Sequence, residues 1–339
     1  MIADFHAKAI QAMRGGRLIA CYSRRREAVE GFAAKYDCRP YYDYEALLAD
    51  REVEIVTVCA PSGAHVEYAL PAIKAKKHVI VEKPLDITLL RCDKMIEAAR
   101  RARVRLGAIF PSRFVEASQL AKKAIAEGRL GRVTLADAYV KWWRTQGYYD
   151  SGAWRGTWEL DGGGALMNQS IHAIDLLQWL AGPVKAISAV TGILAHKRIE
   201  VEDTAVAALE FKGGALGTIE GTTSAWPGFL KRIEISGTAG TIMLEEDNIV
   251  TWKFAEERAE DDGIRRRLGG KDTVGGGAAD PKAIRFDKHQ YNFEAFVQAL
   301  DEGRAPELDG REGRKAVEII LAVYKAAKSG KKVTLPLKK

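Results

Sequence analysis

Between residues 18 and 109 short apolar runs alternate with stretches of helical length, and this alternation constrains the fold more than any other feature. The runs at 18–23, 54–60, 78–81 and 104–109 are too short for helices and apolar almost throughout, as strands buried on both faces must be. The stretches at 27–36, 44–49, 65–75 and 89–101 read as the helices between them. Parallel neighbours need a crossover of about a dozen residues or more, so this order specifies a Rossmann-type, doubly wound parallel α/β sheet.

From Arg132 the pattern changes. Residues 133–143 alternate like a strand of an open sheet, and one strong helix is expected at 165–180. Strand-like segments follow at 184–191, 203–211, 215–223, 232–236 and 241–244, several of them joined by glycine turns, which fits a large, mostly antiparallel open sheet. Residues 261–280, with Arg265-Arg266-Arg267 and Gly275-Gly276-Gly277, read as a loop or insertion. Helices at 290–300 and 311–328 close the chain. Two domains are expected: a nucleotide-binding domain over 1–112, N-terminally incomplete, and an α+β domain for substrate and oligomerisation over 113–339. Ligands of such folds sit beyond the carboxyl ends of the parallel strands.

Hydrophobic residues make up 47% and charged residues 29% of the 339, the balance of a soluble globular protein. No apolar run approaches the roughly 18 residues of a membrane span. The opening Met1-Ile2-Ala3-Asp4-Phe5-His6 has neither the basic start nor the apolar core of an export signal. Cys21, Cys38, Cys59 and Cys92 stand singly, as reduced thiols of a cytoplasmic protein do. The six histidines show no metal-ligand spacing, so no metal is expected. The net charge of +7 comes from short clusters such as Arg24-Arg25-Arg26. They read as solvated surface, with an anionic cofactor or substrate taking part of the excess, rather than as a nucleic-acid footprint.

A dinucleotide-binding half opens with a strand, then G-x-G-x-x-G/A, then a helix. Here Met1 to Ile10 already reads as that helix, with Ala3 at the third fingerprint position. The strand and first two glycines are expected upstream of an internal methionine, on about 8–12 residues. The genomic reading frame tests this: a stop codon directly before Met1 defeats it. The competing reading is a degenerate protein that no longer binds a nucleotide.

Two constellations carry chemistry. Glu82-Lys83-Pro84 ends the strand at 78–81, placing Lys83 at the sheet's mouth, where an ammonium can stabilise a forming alkoxide. The second runs from Asp161 through Gly162-Gly163-Gly164 to Asp175. Asn168, His172 and Asp175, at i, i+4 and i+7, share one helical face, and a histidine near its ordinary pKa suits proton removal from an alcohol. Singly, each motif also reads as ordinary surface.

Together they resemble the glucose–fructose oxidoreductase / inositol dehydrogenase / MocA family, Gfo/Idh/MocA. The likeness extends over nearly the whole chain and includes Pro61, His65, Arg113-Phe114 and the run from Gly310 to Ala316. The resemblance implies Lys83 as the catalytic lysine and His172 as general acid/base. It places Ala3, Ala60, Pro61, His65, Glu82, Lys83, Arg113, Trp154 and Arg155 near the cofactor. Many members carry Asp where this chain has Asn168, so Asn168 is expected to orient the histidine or bind substrate without adding charge.

The second Rossmann strand ends in Tyr22-Ser23-Arg24-Arg25-Arg26, with no acid until Glu27. Ser23 and Arg24 are therefore expected to favour NADP over NAD, unless the arginines merely start a solvated helix. The segment from Lys141 to Trp158 is dense in aromatics and arginine, suited to stacking on a sugar and binding its polar groups. Tyr149, Arg155 and Trp158 join Asn168 and Asp175 as expected substrate contacts, with about half of the segment's rings structural. The expected activity is NAD(P)-dependent hydride transfer at a ring secondary hydroxyl of a sugar, glycoside, nucleotide-sugar or cyclitol. The rivals are glycoside hydrolysis through transient oxidation and a non-catalytic nucleotide- or sugar-binding homologue. The open sheet is expected to make a homodimer or homotetramer.

Overall fold

The computed structural model describes residues 2–270 and 287–338. Helix α1 (Ile2–Ala12) opens the chain. Strand β1 (Ala20–Tyr22), helix α2 (Arg26–Tyr36) and β2 (Arg39–Tyr41) follow, with β1 and β2 parallel. After α3 (Tyr44–Ala49) come β3 (Ile55–Val58), α4 (His65–Lys74), β4 (His78–Val81), α5 (Leu89–Ala102) and β5 (Leu106–Ala108). The last three strands form a parallel sheet in the order β3-β4-β5. Side-chain caps set two helix starts, Asp43 accepting from Glu45 N at α3 and Thr88 from Arg91 N at α5. Strand and helix thus alternate as the apolar runs predict. β2 carries Pro40 and no apolar run, so hydrophobic pattern could not reveal it. Among the described residues no strand pairs with the remaining edge of β1 or of β3.

Helix α6 (Glu116–Ala126) leads into β6 (Val133–Lys141) and the short α7 (Gln146–Asp150). A π-helical turn (Ala165–Ser170) runs straight into α8 (Ile171–Ala181). Then come β7 (Val184–Gly192), β8 (Thr204–Phe211), β9 (Leu216–Thr222), β10 (Arg232–Gly237), β11 (Gly240–Glu245) and β12 (Asn248–Phe254). Helices α9 (Asp261–Leu268), α10 (Asp287–Asp301) and α11 (Gly310–Ser329) and the strand β13 (Val333–Thr334) complete the order. The second sheet has eight strands in the order β12-β11-β10-β6-β9-β8-β7-β13. Every pairing is antiparallel except β6 with β9. Helix α8 packs on one face, over buried Ala136, Ala138, Ile233 and Ile235. On the other face Leu135 stands opposite Leu216, and Val190 opposite Val206, all exposed.

The chain groups into two compact units, one from 1–110 with 285–314 and one from 111–284 with 315–339. The expected boundary at 112 thus misses a late return to the first unit. The reason is apolar: Phe293 and Phe296 of α10 bury against Ala9 of α1, Met13 just beyond it, Ile80 of β4 and Ile109. The segment read as a loop from 261 begins instead as α9, whose Asp261 is buried and accepts from Arg129 and from Trp252 Nε1. Its acids at the start and arginines at the end suit the helix dipole, but Ile264 and Leu268 are its only apolar residues, too few to mark a helix in the sequence. The Gly275-Gly276-Gly277 run lies outside the described residues. Among the described residues no helix is long and apolar enough to cross a membrane.

The glycine triplet has a steric cause. A Cβ on Gly164 would lie 1.8 Å from the Glu202 carbonyl oxygen. The Glu202 carboxylate accepts from the Gly164 and Leu166 amides at 3.0 and 2.9 Å and from the Tyr324 hydroxyl at 2.9 Å. Burial pushes its pKa up to about 7 against those three donors. Gly164→Ala should therefore cost about 3 kcal/mol, because the clash is with backbone. Urea unfolding measures this, and a loss under about 0.5 kcal/mol contradicts the close approach.

Candidate active site

In the first unit, β4 delivers Glu82 and Lys83 beyond its carboxyl end. Glu82 is buried and both carboxylate oxygens are occupied. Oε1 lies 2.7 Å from His6 Nε2 and 3.5 Å from His289 Nε2, while Oε2 accepts from the Lys83 amide at 2.9 Å. Burial opposes ionisation, but hydrogen bonds from His289 and His6 outweigh it and hold the Glu82 pKa well below the usual carboxylate range. The His65 ring bridges the Pro84 and Ala60 carbonyls at 2.8 and 2.9 Å, tying the loop after β3 to the turn that holds Lys83. Lys83 itself is half-buried.

Ser23 and Arg24 follow β1, Ala60 and Pro61 follow β3, and Ala3 lies in the first turn of α1. Lys83, Ser23, Arg24, Ala60 and Pro61 therefore all sit just past carboxyl ends of parallel strands, where a dinucleotide binds such a sheet. Arg24 and Arg25 are exposed, and among the described residues neither forms an ion pair, so they are available to an anionic group. The residues present fit a nicotinamide dinucleotide. His6, Glu82 and His289 offer three ligand atoms within 4.8 Å of one another, but the bonds above already occupy the carboxylate.

In the second unit, His172 lies half-buried in the first turn of α8. The π-helical turn before it, closed by Ser170 Oγ donating to Ala165 O at 2.8 Å, carries Asn168 and Gln169. Such a turn inserts a residue into the helical repeat, so the simple i, i+4, i+7 face is not realised. Asn168 donates to Asp161 at 2.6 Å, and Asp161 also accepts from the Gly156 amide. Gln169 donates to the Tyr148 hydroxyl at 2.8 Å and accepts from Arg144 at 3.0 Å. Arg155 donates to the same hydroxyl at 2.6 Å and lies over the Tyr148 and Trp154 rings. Asn168, Gln169, Tyr148, Arg144, Arg155 and Asp161 thus form one continuous polar network.

Several expected ligand contacts are turned inward. Asp175 is buried and gives both oxygens to Arg113, at 2.6 and 2.7 Å, so the two expected ligand contacts form an ion pair with each other. Tyr149 is buried with its hydroxyl on Thr223, which makes it a core residue. His65 and Glu82 likewise spend their side chains on the protein, leaving only their backbones for a cofactor. Trp158 stays exposed, edge-on to Tyr324. His6, His289, Tyr148, Arg144 and Gln169 escaped the sequence reading. Tyr148 and Arg144 lay in a segment whose composition marked it, and Gln169 inside the run from Asp161 to Asp175; nothing local distinguishes His289.

Comparison with known proteins places both units. Residues 1–110 match the oxidoreductase family with an NAD-binding Rossmann fold, and residues 118–243 match the GFO/IDH/MocA C-terminal domain. Myo-inositol 2-dehydrogenase of Thermotoga maritima is 26% identical, over 98% of this chain and 96% of its own. An uncharacterized oxidoreductase of Synechocystis is 30% identical, over 72% and 69%. The WlbA dehydrogenase of Bordetella pertussis, solved with NADH and UDP-GlcNAcA, superposes with a TM-score of 0.88 at 34% identity, covering 100% of this chain and 96% of that one. The chain belongs to the GFO/IDH/MocA family of oxidoreductases, with an NAD-binding Rossmann domain at its N-terminal end.

Proposed function

We propose that the protein reversibly oxidises a secondary ring hydroxyl of a sugar, glycoside, nucleotide-linked sugar or cyclitol. The observation that carries this is Lys83, held at the carboxyl end of β4 by the Glu82 carboxylate in a dinucleotide-binding domain. The substrate range follows the relatives, one named for myo-inositol and one solved with a nucleotide sugar. A bound nicotinamide supplies the hydride acceptor. His172 takes the hydroxyl proton, and the Lys83 ammonium donates to the oxygen as negative charge grows on it. The network from Arg155 through Tyr148 to Gln169 presents fixed donors for the substrate's oxygens.

NADP is the proposed partner in preference to NAD. Arg26 is engaged by Glu30 and stacked on Tyr42, whereas Arg24 and Arg25 remain open to a 2′-phosphate. We also propose that the exposed face bearing Leu135, Val206 and Leu216 associates with a second copy, because a large apolar patch on an open sheet is stabilised by being covered.

Lys83→Ala should lower kcat by about 10²–10³ while leaving cofactor affinity nearly unchanged, and near wild-type turnover would remove Lys83 from this role. Arg24→Ala should weaken NADP binding about tenfold, roughly 1.4 kcal/mol, with little effect on NAD. Equal effects on both dinucleotides in titration calorimetry would contradict the preference. A Val206→Lys, Leu216→Lys double variant should run as a smaller species than the parent in light scattering; an unchanged mass rules that face out.

A further inference from the structure

We propose that Glu202, held by Tyr324, is a positioning residue for His172, fixing the start of the helical segment that carries that ring. The inference rests on the reading of His172 as the group that takes the substrate proton.

The first amides of a helix have no partner within it. Here the three that open the segment leading to His172 are all taken by one residue from the loop before β8. The Gly164 amide donates to Glu202 Oε2 at 3.0 Å, the Ala165 amide to the Glu202 carbonyl at 2.9 Å and the Leu166 amide to Oε1 at 2.9 Å. Tyr324 of α11 also donates to Oε1, and a Cβ on Gly163 would strike the same hydroxyl. From this anchor the backbone is locked step by step toward His172. The Asn168 amide donates to Gly164 O at 3.0 Å, and Ser170 Oγ donates to Ala165 O at 2.8 Å, two residues short of the imidazole. A negative charge at this end of a helix is favourable, and here it is buried.

Only the ionised carboxylate serves all these donors in full. A proton on Oε2 competes with the Gly164 amide, and one on Oε1 competes with the Leu166 amide and the Tyr324 phenol. Among the described residues no cation pairs with Glu202, and burial raises its pKa to about 7 against its donors. The titratable groups around it supply no compensating charge. Tyr324 of α11 and Tyr149 of α7 are pushed up by burial and stay neutral phenols. Asp161, before the glycine triplet, is a second carboxylate, engaged by Asn168 and the Gly156 amide. Asp203, next in the chain, turns to the amides of Leu194, Ala195 and His196 and to the His196 ring. The helix start therefore tightens as Glu202 loses its proton, and His172 follows it.

The test is an NMR titration without substrate, from about pH 5 to 9. It follows the Gly164 and Leu166 amides and, in protein labelled with ¹³C-histidine, the His172 ring, identified by its loss in His172→Gln. In the wild type both amides should shift with a midpoint at about 7, and the His172 ring should show that step besides its own. The amide step should persist in His172→Gln, which separates it from the imidazole's titration. Tyr324→Phe removes a donor from the carboxylate and should raise the shared midpoint by about half a unit, or about threefold in proton affinity. Glu202→Gln should abolish the step in all three signals. Amides that ignore pH, a midpoint unmoved in Tyr324→Phe, or a His172 ring that lacks the amide step each overturn the proposal. A cap with a merely structural role would lower stability in these variants without coupling the ring to the amides, and Tyr324→Phe decides the matter even if Glu202→Gln does not fold. If His172→Ala keeps full turnover, the catalytic reading fails, while the titration still decides whether Glu202 positions the ring.

Discussion

Glu82 ties together stretches of chain that no local rule connects. Its two oxygens reach α1, α10 and Lys83, the second residue beyond β4. The carboxylate is buried, and Phe293, which packs with Phe296 against Ala9, Met13 and Ile80, stands edge-on to the His6 ring. The two effects depend on each other. The aromatic packing removes solvent that would otherwise serve the carboxylate, and the imidazoles replace it. Truncating either histidine would leave a buried charge short of a donor, a larger cost than the loss of one ordinary hydrogen bond.

The second unit meets a similar problem with different means. Gly164 must approach the Glu202 backbone closely, and the Glu202 side chain turns back to cap the Gly164 and Leu166 amides. The resulting entry into a π-helical turn offsets Asn168 from His172 and hands Asn168 to Asp161. The Arg113–Asp175 pair then pins α8 from beneath. Few of these groups are free to move, which suits a site where donors must be in place before charge develops.

Much of the first unit was legible because parallel strands buried on both faces write themselves as apolar runs, and β4 falls on the residues expected. Lys83 and His172 were singled out because each lies at a motif with a local reason, a strand end or a glycine triplet. The pairing of Asp175 with Arg113 could not be read from sequence, because the two lie far apart along the chain and only packing brings them together. β12 and α6 went unread, and α9 was taken for a loop.

The sequence by itself determined the alternation that makes a dinucleotide-binding sheet, the inside and outside faces of the second sheet, and the two residues on which the chemistry is proposed to turn. These follow from periodicity and from short-range geometry, which are local properties. Tertiary structure alone decided that α10 returns to the first unit, that His6 and His289 meet on Glu82, and that Tyr148, Gln169 and Arg155 join one network. Each is a contact between residues whose separation along the chain carries no periodic signal. Burial selects such contacts by matching charge and shape only after the local elements have formed.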